Sequence, residues 1–323
     1  MAYLIGIDEA GYGPNLGPLV IGATVWEIPE SSWEDLFERL TPGIARPKDR
    51  SSATWLTVGD SKALYSPQKG LTALELAVQA LLAQSSQQLE YDYDLIESLA
   101  LNPWPASSLP PWYTTPHRTL PVDPPADPNR GRALSKQLAD DLNQSGIRFH
   151  RAANRILEPE FYNQRCREAG NKATVLSEES IALLGQVIDD LPASPQPIYC
   201  QCDRHGGRTH YGSLLQSRFA DFFVENHGES AKQSVYRWGP DHRRVEVRFS
   251  PGGERHWEVA WASMMAKYLR ELAMDRFNHF WQAHDQDLKS TRGYPVDAKR
   301  FRQDIEATRE RLQIPDDLFW RER

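Results

Sequence analysis

The chain has 323 residues, 40% hydrophobic and 25% charged, the ordinary mix of a globular protein with one large domain or two small ones. No apolar run approaches the ~18 residues of a membrane helix, and the first residues lack the basic and apolar segments of a secretory signal, so a cytoplasmic protein without a membrane span is expected. The net charge of −7 weighs against a uniformly basic nucleic-acid binder, although a cluster of metal-binding carboxylates would add negative charge of its own. Cys166, Cys200 and Cys202 fit neither a disulfide framework nor a zinc pattern.

The apolar run at 3–7 predicts a buried strand that ends in Asp8 and Glu9. Neighbours on a strand point to opposite faces, so these two carboxylates flank one point only where the strand is ending. Gly11, Gly13 and Gly17 follow. Glycine permits close backbone approach, and carboxylates beside bare backbone suit a metal site set against a phosphate or a sugar. The plain alternative is a solvated acidic pair on a glycine-rich turn. Residues 19–26 predict a second strand, joined to the first as a hairpin through Gly17-Pro18. Ser31-Ser32 can cap a short helix to residue 39, and 42–54 reads as a loop. Ser66-Pro67, a cap followed by proline at the first helical position, predicts a helix to about residue 84.

From 100 to 130 the proline density forbids regular helix or sheet. Trp104, Trp112 and Tyr113 within it predict a surface insertion that packs. A helix at 134–142 and a strand at 147–151 follow. Leu184, Val187, Ile188 and Leu191 share one face of a helix at 173–191. Residues 197–203 predict a strand ending in Asp203, followed by a glycine-rich turn and a helix to about 226. Residues 244–249 alternate as a strand. A helix over 256–284 carries Val259, Ala262, Ala266, Leu269 and Ala273 on one stripe, whose small side chains permit close approach to a sheet. A charged helix ends the chain.

Strands alternating with helices after an opening hairpin give an α/β fold with a mixed sheet. Sites in such sheets form outside the carboxyl ends of strands, where Asp8 and Asp203 both fall. Oxygen-rich sites suit Mg²⁺ or Mn²⁺, and two such ions about 3.5–4 Å apart can drive phosphodiester cleavage. That chemistry takes three or four carboxylates. Asp8, Glu9 and Asp203 supply three, and the turn before the long helix offers Glu254 or Glu258. Either glutamate also has a plain role as a favourable charge at a helix start, and spacing does not choose between them.

The motifs resemble the type 2 ribonucleases H, ribonuclease HII with some ribonuclease HIII character. Asp8-Glu9-Ala10-Gly11-Tyr12-Gly13-Pro14 with Gly17-Pro18 is similar to that family's opening signature, and Asp60-Ser61-Lys62-Ala63-Leu64 to its Asp-Ser-Lys segment. Asp203 stands where the family has its third carboxylate. Ala262-Ser263-Met264-Met265-Ala266-Lys267 with Arg270 resembles its Ala-Ser helix, and Gly293-Tyr294-Pro295 its Gly-Tyr-Pro. The five motifs occur in the family's order.

The resemblance implies a ribonuclease H-like mixed sheet flanked by helices, with a catalytic domain at 1–290 and a C-terminal helical extension at 291–323. It implies an endoribonuclease that hydrolyses the RNA strand of RNA–DNA hybrids and incises at ribonucleotides embedded in duplex DNA. A metal-activated water would attack in line and leave 5′-phosphate and 3′-hydroxyl ends. Asp8, Glu9, Asp203 and a fourth carboxylate would hold two Mg²⁺ or Mn²⁺ ions. The family's fourth ligand lies nine residues before the Ala-Ser motif, which is Gly253 here; Glu254, one residue later, matches the ribonuclease HIII pattern and is the expected ligand, ahead of Glu258. Lys62 would approach the nucleic-acid backbone, Tyr294 would stack on the sugar at the ribo–deoxyribo junction, and Gly11, Tyr12 and Gly13 would form the wall that reads the ribose 2′-hydroxyl. The family carries arginine or lysine where this chain has Tyr12, so that phosphate contact is absent or passes to Arg204 or Arg208.

A monomer is expected. His205 and His210 read as surface groups in a polar loop, Asp60 as a residue that orders its loop, and Cys200 and Cys202 as structural thiols. Two rival readings are a non-catalytic nucleic-acid-binding protein that retains the fold and a nuclease of this fold acting on DNA.

Overall fold

The computed structural model describes residues 1–30, 36–39, 44–45, 56–66, 68–85, 91–101, 109–114 and 118–322. The opening apolar run is strand β1 (Ala2–Ala10), buried along nearly all its length. Through the turn at Gly17 it pairs antiparallel with β2 (Leu19–Ile28). A short helix α1 (Leu36–Arg39) and a two-residue parallel pair, β3 (Ile44–Ala45) with β4 (Leu56–Thr57), follow. Next come α2 (Ser61–Leu64), α3 (Thr72–Leu82) and α4 (Asp92–Leu99). The helix expected from Ser66 to about 84 begins only at Thr72, because the chain turns at Gly70, whose φ of +72° no helix accepts. Pro67 and Trp104 lie outside the described residues.

The described part of the proline-rich stretch packs through two of its aromatics. Trp112 and Tyr113 are buried, and Trp112 meets Phe277 edge-on at 5.1 Å between ring centroids. The carboxylate of Asp123 accepts from the backbone N–H groups of Leu71 and Thr72 at 2.8 and 2.9 Å and so caps α3. Then come α5 (Arg130–Ser145), β5 (Arg148–Leu157), α6 (Pro159–Ala169), α7 (Lys172–Asp189) and β6 (Ile198–Asp203). The helix expected as far as 226 is a short α8 (Gly212–Arg218) followed by a hairpin of β7 (Glu225–Glu229) and β8 (Ser234–Trp238). The polar run of β7 has no apolar stripe to hold a helix on the core, and it gains backbone partners by pairing with β8. Strand β9 (Val245–Ser250), α9 (Trp257–His284), α10 (Pro295–Asp304) and α11 (Glu306–Leu312) complete the chain.

The main sheet has the order β5-β2-β1-β6-β9-β8-β7. β1, β6 and β9 are mutually parallel, and the flanking strands pair antiparallel. Helices cover both faces, so this is a mixed α/β sheet of the kind the motifs imply. One face, with Tyr3, Ile5 and Ile7, packs on α7. The other, with Leu4 and Trp26, packs on α3, α5 and α9. Phe301 and Phe319, from the C-terminal segment, are fully buried in this second core. Among the described residues no helix is long and apolar enough to cross a membrane.

Helix α9 crosses β1 and β2 at very short range. The small residues of its stripe matter less here than two glycines of the sheet. A Cβ on Gly6 would lie 2.1 Å from the carbonyl carbon of Glu258, and one on Gly22 would lie 2.7 Å from the carbonyl oxygen of Ala262. Thr24 Oγ1 donates to the Glu258 carbonyl at 2.8 Å and fastens the crossing.

This contact predicts the effect of one methyl group. Gly6→Ala must push α9 off the sheet and should lower stability to urea by about 1–3 kcal/mol, the usual penalty for overpacking. Gly13→Ala, where a Cβ meets nothing within 4 Å, should leave the midpoint unchanged. Equal midpoints for wild type and Gly6→Ala would refute the close crossing.

Candidate active site

The parallel pairing of β1 with β6 sets Ile7 opposite Cys202. One residue further on, Asp8 and Asp203 stand at the same level at the carboxyl ends of adjacent strands. Alternation puts both on the α9 face, since Ile7 and Cys202 belong to the opposite core. Ser263 of α9 stands beside Asp8 and lowers its carboxyl against the burial that raises it, and its Oγ donates to Ser61 Oγ at 3.1 Å. The second residue of the Ala-Ser motif therefore ties the carboxylate to the Asp-Ser-Lys segment. Asp60 caps α2, its Oδ1 accepting from the Lys62 N–H at 2.9 Å, which is the loop-ordering role expected of it.

The turn between β9 and α9 supplies the next part. The Gly253 N–H donates to Asp203 Oδ1 at 2.8 Å. A Cβ on Gly253 would lie 2.9 Å from Asp203 Cα, so no glutamate fits at that position and an acidic side chain can enter only one residue later, at Glu254. The negative charge of Glu254 reaches Lys62, together with those of Asp60, Asp8 and Glu9. Glu258 stands apart. It is 1% exposed, its Oε1 has no hydrogen-bond partner, and burial pushes its carboxyl up to about 8. It faces the packed interior between α9 and the sheet.

The carboxylates perturb one another. Desolvation, then the charges of Glu9 and Asp203, hold the Asp8 carboxyl well above the usual range. Desolvation and the charge of Asp203 raise Glu9 to about 7, with Lys62 opposing. Burial works against a charge on Lys62, but the surrounding acids outweigh it and its ammonium is held above its ordinary value.

The glycine wall is built from both ends of the chain. Gly11 has a φ of +93°, and a Cβ there would lie 2.5 Å from Arg270 Nε. Arg270 donates to the carbonyls of Leu16 and Arg292 at 3.3 and 3.2 Å. The Gly293 carbonyl accepts from the N–H groups of Asn15 and Leu16 at 2.7 and 3.3 Å, which brings Tyr294, 54% exposed, beside the opening loop. From the far end, Arg321 donates to the carbonyls of Gly11 and Pro14. Tyr12 is half-buried, and its hydroxyl is raised by burial and by Glu9. Asp8, Glu9 and Asp203 thus feel one another's charge at the strand ends, and the charges of Asp8, Glu9 and Glu254 reach Lys62, while Gly11 and Gly293, beside Tyr12 and Tyr294, are held together by Arg270 and the opening loop.

Two expectations are corrected. His205 is buried, with Nδ1 3.1 Å from Ser177 Oγ and its backbone N–H donating to Tyr211 Oη; burial lowers its imidazole to about 3, so it is a neutral core group. Arg204 does not face the glycine wall, because its guanidinium is spent on the carbonyls of Ala231 and Ser230 in the β7–β8 turn. His210 is exposed, as expected, and Cys200 and Cys202 are buried free thiols. The motif that contains Ser263 and Arg270 does not say what they touch, and nothing local marks Arg321. A buried arginine near a chain end carries no local pattern that says which loop it holds.

Among the described residues no three acid, imidazole or thiol groups stand close enough to grip one ion as placed. Asp8 and Asp203 each commit an oxygen to a backbone N–H, of Glu9 and Gly253 respectively, both at 2.8 Å. The chemistry of the set nevertheless fits a hard divalent cation. It is all oxygen, it comes from separate elements, and its like charges are desolvated against one nearby ammonium.

The chain matches no protein-family model and no curated protein sequence. Among solved structures it is similar to ribonuclease H2 from Pyrococcus horikoshii OT3, at 16% identity over 98% of this chain and 92% of that one, with a TM-score of 0.43. It is similar to RNase HII in a complex with PCNA from Archaeoglobus fulgidus, at 17% identity over 99% and 94% of the two chains, TM-score 0.40. It is also similar to Bst-RNase HIII in complex with Mn²⁺, at 15% identity over 99% and 66%, TM-score 0.42. Likeness at this level carries no inference about activity, which rests on the residues themselves.

Glu258 provides a test of where the buried charge lies. Folded, it keeps its proton up to about pH 8, whereas an unfolded glutamate releases it near 4.5. Between those values the folded state binds more protons, so Glu258 lowers stability as pH rises and does so fully above 8. Glu258→Gln should therefore gain stability over wild type through this window, by on the order of a few kcal/mol at pH 8, and match it near pH 4. Urea titrations that give a pH-independent difference would contradict the assignment.

Proposed function

We propose that the protein is a metal-dependent endoribonuclease that hydrolyses the RNA strand of RNA–DNA hybrids and incises duplex DNA at embedded ribonucleotides. The observation that carries this reading is the placement of Asp8 and Asp203 at the ends of the paired strands β1 and β6 beside a glycine wall, where burial and the charge of Asp203 raise the carboxyls of Asp8 and Glu9. Asp8, Glu9, Asp203 and Glu254 would hold two divalent ions, Mg²⁺ or Mn²⁺, whose chemistry when bound is to activate water and to neutralise charge on the leaving oxygen.

The chain's own residues supply position. Lys62, exposed and surrounded by acids, presents a charged ammonium to a backbone phosphate as a point charge. The backbone around Gly11 and Gly13 can approach a ribose closely enough to meet its 2′-hydroxyl, the group that separates RNA from DNA. Tyr294 offers an exposed ring for a sugar, at a spot fixed by the Gly293 carbonyl and the N–H groups of Asn15 and Leu16. Ser263 orients Asp8, and the Gly253 N–H orients Asp203. Such supporting contacts typically matter 10–100-fold in metal sites.

The direct test is a duplex bearing one ribonucleotide, with and without Mg²⁺ or Mn²⁺. Cleavage 5′ to the ribonucleotide or within a hybrid's RNA strand should require the ion and yield a 3′-hydroxyl. Asp203→Asn should reduce the rate by more than about a hundredfold, since it removes a ligand and not merely its support. Tyr294→Ala should weaken cleavage at the single ribonucleotide more than Tyr294→Phe. Cleavage by Asp203→Asn at the wild-type rate would overturn the reading.

A further inference from the structure

We propose that Lys172 is the phosphate-binding cation of the glycine wall, held in place by the face of Tyr12. The inference rests on the proposed nucleic-acid substrate and adds a residue to it.

The motif position between the two glycines is an aromatic ring in this chain, so any positive charge at this edge must come from another element. The structure offers five candidates. Arg270 is 1% exposed and turns inward onto the carbonyls of Leu16 and Arg292. Arg321 is 1% exposed and turns inward onto the carbonyls of Gly11 and Pro14. Arg204 is held by the β7–β8 turn. Arg208 donates through Nη2 to Thr174 Oγ1 at 3.2 Å. Lys172, the first residue of α7, places Nζ 4.6 Å from the centroid of the Tyr12 ring. It is half-exposed, and among the described residues it makes no ion pair and no hydrogen bond.

The nature of that contact matters. An ammonium over an aromatic face is attracted by the ring quadrupole. A carboxylate partner would fix the side chain equally well but would cancel its charge. The ring fixes it and leaves the charge and its three N–H donors available. The Asn171 side chain accepts from the Thr174 N–H at 2.8 Å and caps α7, so the backbone that carries Lys172 is itself held. Tyr12 feels the charge of Glu9, so the pair borders the carboxylate cluster. Lys172 reads charge and not base or sugar, because an ammonium is a point donor without the planar fork of arginine. The ligand is a backbone phosphodiester of the strand lying on the glycine wall.

The test measures binding of a fluorescently labelled RNA–DNA hybrid to the full chain by anisotropy, in EDTA, from 50 to 200 mM salt. Each phosphate contact contributes about −0.9 to the slope of log K against log salt. Lys172→Ala should bind more weakly at low salt and lose about 3.5-fold less of its affinity than wild type across that range. Lys172→Arg and Tyr12→Phe should keep the wild-type slope, the first retaining the charge and the second the ring. Tyr12→Arg placed in the Lys172→Ala chain should restore the slope, because a cation then stands at the motif position itself. The proposal is overturned if wild type binds and Lys172→Ala matches its affinity and slope, or if Lys172→Arg behaves as Lys172→Ala. Absence of hybrid binding by wild type at every salt concentration would instead overturn the substrate reading, and this inference with it.

Discussion

Helix α9 lies against the sheet at a distance that leaves no room for a side chain at Gly6 or Gly22. Much of the site depends on this crossing. It brings Ser263 to Asp8 and Ser61, and two turns later it brings Arg270 to the backbone of the opening loop and of the Gly293 turn. One rigid helix of 28 residues thus aligns segments that are far apart in sequence. The turn that leads into it sets Gly253 against Asp203.

The second organising feature is charge that the protein does not balance by itself. Asp8 and Glu9 are desolvated and repelled by Asp203, and the nearby opposite charge acting on Glu9 is that of Lys62. Buried ion pairs elsewhere are arranged differently. Arg276 meets both oxygens of Asp92 at 2.9 and 3.0 Å, and Glu271 is surrounded by Lys267, Arg270 and Arg292. The molecule can neutralise a buried carboxylate where structure requires it. At the strand ends it leaves the deficit in place, which suits a site meant for an external cation.

The opening loop is held from behind by the other end of the chain. Arg321 clamps the carbonyls of Gly11 and Pro14, its backbone N–H donates to the Asn15 carbonyl, and the Asn15 side chain returns a bond to the Arg321 carbonyl. The front of the loop is then left to Tyr12 and Lys172. Inward cations set the shape of the loop, and the outward one is free to meet a ligand.

Local patterns in the sequence determined the strands β1, β2, β5, β6 and β9, the hairpin at Gly17, the long helix and the two carboxylate-bearing strand ends, because apolar periodicity and glycine or proline punctuation are short-range signals. Motif order also pointed to Asp8, Glu9, Asp203 and Lys62 as one group. Tertiary structure decided the rest. The polar strand β7 has no apolar stripe and exists only because β8 pairs with it. Glu254 and Glu258 are four residues apart and similar in kind, and only packing buries Glu258 and sets Gly253 against Asp203. The expectation of surface character for His205 failed because burial depends on what α7 and β9 bring to it. Lys172 lies 160 positions from Tyr12, and no spacing rule links them. Periodicity records which face of an element is apolar, whereas the identity of the group that meets that face is a property of packing alone.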